Sequence, residues 1–149
     1  MNITVDLCTI DSKFMRNCFK SGLKNQISQF IDTNAKTYQD ISLAIHAKPE
    51  VSDFEYFASQ TLSEQLKKEG FEIELPAAGH RTGFAATYKS NKPGPTVVFL
   101  AEYDALAGLG HGCGHNVFGA TSSLAGAALK SVVDQIGGEV RVYGTPGEE

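Results

Sequence analysis

An uninterrupted apolar segment constrains the fold of this chain more than any other feature. Residues 96–101, Thr-Val-Val-Phe-Leu-Ala, contain no charged side chain and are rich in β-branched and aromatic residues. A run of this length and composition is typical of a strand that is buried on both faces of a sheet. The segment therefore predicts a central, largely buried sheet.

The periodicity of the other segments predicts the elements that surround this strand. Pro49 ends the first predicted helix. Asp53 caps the second predicted helix, and Gly70 in the C′ position ends it. Glu55 and Glu64 are predicted on the exposed side of this second helix. The predicted helices are 21–46, 53–69 and 119–136, and the other strands are 71–75, 82–88 and 139–143. This order of elements indicates an α/β fold.

Composition excludes several classes of partner. The net charge of −4 argues against a nucleic-acid-binding surface. The sequence contains no run of about 18 apolar residues, so we expect no membrane span. Residues 1–20 lack the apolar core of a secretory signal, and we expect them to form a poorly ordered leader before a folded region at 21–149. Three cysteines without a signal peptide indicate reduced thiols and a cytoplasmic protein.

Metal-binding side chains cluster directly after the apolar strand. Glu102 and Asp104 are followed by His111, Cys113 and His115, the last three separated by single glycines. Thiolate and imidazole suit Zn²⁺ and similar ions, whereas carboxylates suit harder ions. Ligands of open α/β sheets bind beyond the carboxyl ends of strands, where this segment lies. A glycine-rich turn with incidental histidines is the alternative, which the density of donor side chains disfavours.

A pair of carboxylates follows the last predicted strand. Residues 144–149, Gly-Thr-Pro-Gly-Glu-Glu, end on Glu148 and Glu149. Adjacent carboxylates are common on protein surfaces, so the pair alone indicates little. At the end of a strand in the same sheet, however, one could bind a metal and the other could act as a general base.

Taken together, these motifs resemble the aminoacylase/carboxypeptidase family of metallopeptidases. The resemblance rests on residues 100–106, 111–116 and 144–149, supported by the elements at 46–50 and 82–84, and it extends from Ile27 to Glu149. The most similar branch contains aminobenzoyl-glutamate hydrolase, hippurate hydrolase and auxin-conjugate amidohydrolases. The resemblance implies the N-terminal part of a three-layer α/β/α catalytic domain like that of the zinc exopeptidases.

The resemblance also implies roles for individual residues. Cys113, His115 and Glu149 match metal ligands of the branch, and Glu148 matches the general base that deprotonates the attacking water. Asp104 matches an acidic residue with a supporting role.

Three further positions are less determined by the resemblance. His111 could support the ligands or simply pack, and the pattern leaves both readings open. Ala107 and Gly147 stand where the branch usually has Pro and Ala, and both changes are expected to loosen the loops that carry the site.

The activity implied by the resemblance is hydrolysis of the amide of an N-acyl amino acid, an aminoacyl-glutamate or a dipeptide. Two divalent ions would serve a complete site, Zn²⁺ or Mn²⁺ with Co²⁺ as a further candidate, and the full-length protein would be a homodimer. Two further histidine ligands, the dimerisation domain and the substrate-carboxylate grip of the family have no counterpart among these 149 residues. We therefore expect this chain to be inactive alone.

The sequence leaves two other functions as alternatives. One is a non-catalytic fragment that acts at most as a metal-binding or interaction module. The other is a thiol-dependent redox or transferase domain using Cys113, which the absence of a Cys-x-x-Cys motif disfavours.

Overall fold

A computed structural model describes residues 21–149 of the chain, so the predicted leader at 1–20 lies outside the described residues. Within residues 21–149, three helices and four strands follow one another in the predicted order. They are α1 Ser21–Ala47, α2 Tyr56–Lys68, β1 Glu72–Glu74, β2 Phe84–Lys89, β3 Thr96–Glu102, α3 His115–Ile136 and β4 Glu139–Thr145. The predicted end of the second helix is confirmed, because Gly70 follows it with a positive φ of 90°.

The four strands form one mixed sheet in the order β1-β2-β4-β3. β1 pairs antiparallel with β2, and β2 pairs antiparallel with β4. β3 and β4 are parallel, in a register that places Glu102 opposite Thr145. The last strand is therefore central, and the carboxyl ends of β3 and β4 lie side by side.

The helices pack on one face of this sheet. Gly126 of α3 approaches so closely that a Cβ there would lie 2.3 Å from Cγ2 of Val142 in β4. α2 contacts β1 and β2, and α1 packs on α3. The main buried side chains are Tyr38, Ile41, Ile45, Leu62, Leu66, Phe71, Phe84, Tyr103, Val140 and Val142. The mixed α/β class is confirmed, and the described residues supply two of its three predicted layers.

The prediction that β3 is buried on both faces is wrong for the described chain. Leu100 is 48% exposed, and Thr96 is exposed as well. Their alternate neighbours Phe99 and Ala101 face α3 and are partly or fully covered. The apolar run indicated a strand correctly, but residues 21–149 place helices on only one side of it.

The start of α2 also differs from the prediction. The helix begins at Tyr56 with Glu55 at its N-cap position, whereas Asp53 adopts a left-handed φ of 62° and does not cap it. The helical pattern of the sequence also predicts Phe54 on the inner face of this helix, but Phe54 is 57% exposed. Glu55, predicted on the exposed side, is completely buried. The two side chains exchange places because the helix starts later than the pattern suggested.

The third helix begins within the motif that carries the candidate ligands. Gly114 takes a left-handed φ of 91° at the N-cap position, so His115 and Asn116 form the first turn of α3 instead of the predicted loop. The amide of Asn116 donates to the hydroxyl of Ser42 at 3.1 Å and thereby joins this turn to α1.

None of the helices within residues 21–149 combines the length and apolar character needed to cross a bilayer.

Candidate metal centre

The parallel pairing of β3 and β4 brings the two chemically rich segments together. Residues 103–115 leave the sheet after Glu102, and residues 146–149 leave it after Thr145, its register partner. Neighbouring parallel strands deliver their following loops to the same edge of a sheet. The two segments, separated by about 30 residues of sequence, thus meet in space.

Three of the residues predicted as ligands converge at this edge. Sγ of Cys113, a ring nitrogen of His115 and a carboxylate oxygen of Glu149 all lie within 4.8 Å of one another. His115 is buried, whereas Cys113 and Glu149 are exposed. A soft sulfur, a borderline nitrogen and a hard oxygen form a donor set that suits Zn²⁺ and related divalent ions.

A second group of donors shares the same histidine. Nε2 of His115 lies 3.4 Å from a carboxylate oxygen of Glu102 and 3.7 Å from one of Glu148. Glu102 was not among the predicted site residues, although it belongs to the same cluster in the sequence. Its position as the last residue of β3, at the carboxyl end of the strand, was the signal that could have identified it.

Asp104 connects two of the candidate ligands. Its carboxylate is completely buried, and Oδ1 lies 2.9 Å from Nδ1 of His115. Its other oxygen accepts a hydrogen bond from the backbone N–H of Glu149 at 3.0 Å. When Nδ1–H is donated to Asp104, Nε2 presents its lone pair to the surrounding donors, as in carboxylate–histidine–metal arrangements.

Cys113 is a free and exposed thiol. Desolvation by its surroundings, followed by the nearby Glu149 carboxylate, raises the pKa of the Cys113 thiol above its ordinary value, while the backbone of His115 acts in the opposite direction. A bound cation would have the reverse effect, because metal coordination requires the thiolate. A carboxylate beside an unmetallated thiol is thus unfavourable for the thiolate unless a positive charge lies between them.

His111 belongs to neither donor group. Its ring stacks on that of His46, with 6.2 Å between centroids, and neither of its buried nitrogens has a well-formed hydrogen bond within residues 21–149. Burial, followed by the neighbouring rings of His46 and His115, lowers the pKa of His111. The contact of His111 in this position is therefore with the ring of His46.

The early segment around Glu50 supports the loop that carries the site. Its carboxylate accepts the N–H groups of Phe57 and Ala58 and so caps the start of α2. Its backbone carbonyl accepts the N–H of Ala105 at 2.8 Å, directly beside Asp104. The element at 46–50 therefore joins the start of α2 to the loop after β3.

The electrostatics of the cluster favour a cation. Within the part of the chain that is described, Glu102, Glu148 and Glu149 each form their ion pair with Nε2 of His115. With Asp104 on the other ring nitrogen, four carboxylates surround one imidazole, and they repel each other unless a cation offsets their charge. The donor types, their convergence and their excess negative charge therefore fit a divalent metal ion.

Sequence comparison identifies hydrolases as relatives of this chain. It is 34% identical over 142 residues to a subunit of p-aminobenzoyl-glutamate hydrolase of Escherichia coli (strain K12), a match that covers 83% of this chain and 29% of that protein. It is also 35% identical over 144 residues to Xaa-Arg dipeptidase of Mus musculus. This match covers 85% of this chain and 32% of the dipeptidase. No family model matches the sequence.

Solved structures show the same fold. A candidate aminohydrolase from methicillin-resistant Staphylococcus aureus superposes with a TM-score of 0.73 at 28% identity, over 84% of this chain and 35% of that chain. A Bacillus subtilis protein described as a dinuclear metal-binding peptidase of the M20 family gives a TM-score of 0.66 at 24% identity. This superposition covers 77% of this chain and 36% of that protein. The latter similarity concerns the fold alone.

The chain spans about a third of the length of the curated relatives that it matches. The predicted resemblance is confirmed in that, over most of its length, this chain is similar to a p-aminobenzoyl-glutamate hydrolase subunit and to a dipeptidase.

Proposed function

We propose that this chain carries part of the active site of a metal-dependent amidohydrolase, in which Cys113, His115 and Glu149 hold a divalent ion. The observation that supports this most strongly is the double attachment of Asp104, which orients the His115 ring and fixes the Glu149 backbone at once. Carboxylates that orient ligating histidines in this way are a general feature of metal sites. Asp104 is accordingly a supporting residue, whereas His111 packs beside the site.

The two terminal glutamates are assigned different roles. Glu149 groups with the thiol and the imidazole, and its backbone N–H is bonded to Asp104. Glu148 groups with Glu102 instead, and its side chain is 54% exposed against 32% for Glu149. The more exposed carboxylate is better placed to take a proton from a water that approaches with the substrate, so Glu148 is the general base.

When bound, the metal would polarise the amide carbonyl and make a nearby water more acidic. The donor set fits Zn²⁺ or Mn²⁺, with Co²⁺ as a further candidate, and a complete site would hold two ions. The chain's own residues would fix the ligand geometry through Asp104, accept the water's proton on the Glu148 carboxylate and return it to the departing amine.

The substrate class follows from the relatives, whose names describe hydrolysis of an aminobenzoyl-glutamate and of a dipeptide. The proposed reaction is cleavage of the amide of an N-acyl amino acid, an aminoacyl-glutamate or a dipeptide. A full-length protein would act as a cytoplasmic homodimer on such small molecules.

The 149 residues alone are proposed to bind metal without turnover. Three protein donors converge here, which is the minimum for a catalytic zinc site. The chain covers about a third of its relatives, and a second ion needs further ligands. A metal-binding or interaction module without catalysis is therefore the second candidate function for this chain as it stands.

Calorimetry with Zn²⁺ tests the proposed ligand set. The wild-type chain should bind one ion, and both Cys113→Ala and His115→Ala should weaken binding by about 10-fold or more. His80→Ala is the matched control, because His80 is exposed and lies outside both donor groups. Equal Zn²⁺ affinity in the wild type and Cys113→Ala would refute the assignment of the thiol.

A further inference from the structure

Glu55 is a completely buried carboxylate whose partners come from distant parts of the chain. It occupies the N-cap position of α2 without making a side-chain capping bond. One of its oxygens accepts the hydroxyl of Thr82 at 2.7 Å, and the other accepts the backbone N–H of Gly147 at 2.9 Å. Burying a carboxylate is costly unless its oxygens are hydrogen-bonded, so these two bonds require an explanation.

Its neighbours hold Glu55 in one orientation. Thr82 is itself buried, and its backbone carbonyl accepts the hydroxyl of the buried Tyr103 at 2.6 Å. Tyr103 lies between Glu102 and Asp104 in the loop of the candidate site. The carboxylate of Glu55 is therefore part of a buried hydrogen-bonded network that runs from α2 to the loop after β3.

The backbone at Gly147 is shaped to meet Glu55. Gly147 has a positive φ of 66°, and a Cβ at this position would lie 2.5 Å from Oγ of Ser52. Glycine thus permits both the left-handed turn and the close approach to the segment before α2. An alanine at position 147 would therefore be strained in this conformation.

We infer that Glu55 is a positioning residue for the Glu148–Glu149 pair, an inference that rests on the proposed metal site. Its carboxylate fixes the N–H of Gly147 immediately before the pair, and Asp104 fixes the N–H of Glu149 within it. Glu148 thereby lies between two anchored amides. The two buried carboxylates together hold both terminal side chains toward Nε2 of His115.

Loss of the Glu55 anchor should loosen the terminal segment and leave the sheet intact. In the metal-free chain, Glu55→Ala and the milder Glu55→Asp should speed hydrogen exchange at the amides of Gly147 and Glu149 by about 10-fold or more, while the amides of β4 keep their protection. Glu55→Gln should keep the exchange of these amides as slow as in the wild type. The glutamine carbonyl can accept the N–H of Gly147, and its amide group can donate to the hydroxyl oxygen of Thr82.

Metal affinity provides the second measurement. Glu55→Ala should weaken Zn²⁺ binding by about 10-fold in the wild-type background and by less than about 2-fold when Glu149→Gln is also present, because the effect acts through Glu149. Glu64→Ala, an exposed change on the same helix, is the control and should alter neither measurement.

The outcomes separate this inference from the proposed function. Unchanged exchange at Gly147 in Glu55→Ala and Glu55→Asp, or equal acceleration throughout β4, would overturn the positioning role. A wild-type chain that binds no Zn²⁺ would overturn the proposed function, while the exchange of the Gly147 amide would still decide whether Glu55 fixes the segment.

Discussion

The buried carboxylate of Asp104 lies 2.9 Å from Nδ1 of His115 and therefore sets which ring nitrogen faces the cluster of donors. The same carboxylate also accepts the N–H of Glu149. One side chain thus couples the helix that carries the histidine to the segment that carries the terminal carboxylates.

Replacing Asp104 should weaken metal binding in proportion to the bonds lost. Asp104→Ala removes both bonds, and we expect Zn²⁺ affinity to fall about 10- to 100-fold. Asp104→Asn can accept from only one of its two donors and should cause a smaller loss. Competition with a chromophoric chelator measures both. Asp134→Asn, at an exposed carboxylate that accepts the hydroxyl of Tyr88, is the control. Unchanged affinity in Asp104→Ala would contradict the supporting role.

The terminal glutamates should separate metal binding from catalysis. Glu149→Gln should lower the Zn²⁺ affinity of this chain about 10-fold, whereas Glu148→Gln should change it less than about 3-fold. In a full-length protein completed with the remaining sequence of a relative, Glu148→Gln should bind metal and lose amide hydrolysis. Metal stoichiometry and turnover, measured on both variants, check the assignment. Metal loss in Glu148→Gln with retention in Glu149→Gln would reverse the two roles.

The buried His111 ring should make folding sensitive to mild acid. Burial lowers the pKa of this imidazole, so the unfolded chain binds a proton more readily than the folded chain. Stability is thus fully present above the ordinary histidine pKa of about 6.5 and falls as pH decreases toward the lowered value. Thermal melting between about pH 7.5 and 5.5 should show a smaller loss in His111→Phe than in the wild type. Equal losses in the two proteins would show that another group is responsible.

The close contact between α3 and β4 should tolerate no added methyl group. Gly126→Ala would place a Cβ 2.3 Å from Val142, and we expect it to cost about 1–3 kcal/mol of unfolding free energy. Gly22→Ala provides a matched control in α1, because nothing lies within 4 Å of the added Cβ. It should leave stability unchanged or raise it by less than about 1 kcal/mol. Urea denaturation distinguishes the two, and equal effects would contradict the described helix–sheet packing.

Local pattern was sufficient for the order of elements but not for every boundary. The apolar run at 96–101 indicated β3, and Gly70 marked the end of α2, because both signals arise from neighbouring residues. The exposure of Leu100 could not be predicted in this way, since it depends on which elements cover each face of the sheet. The start of α3 at His115 depends on the left-handed conformation of Gly114.

The candidate site shows the same division. The cluster around Cys113 and His115 was visible as a dense run of donor side chains, and the resemblance to the family connected it to Glu149. The burial of Glu55 was not visible, because its partners lie 27 and 92 residues away at Thr82 and Gly147. Helical periodicity places such a residue on a solvent face unless its long-range partners are known.

Titration with Co²⁺ tests most directly whether Cys113, His115 and Glu149 form one metal site. Thiolate coordination produces a sulfur-to-cobalt charge-transfer absorption, so the wild-type chain should develop this band as one Co²⁺ binds. Cys113→Ala should abolish the band. Glu149→Gln should still develop the band, but at a higher Co²⁺ concentration than the wild type. A chain with both Cys8→Ala and Cys18→Ala should develop the band at the same Co²⁺ concentration as the wild type. A band that survives Cys113→Ala, or that disappears when only Cys8 and Cys18 are replaced, would contradict the proposed metal centre.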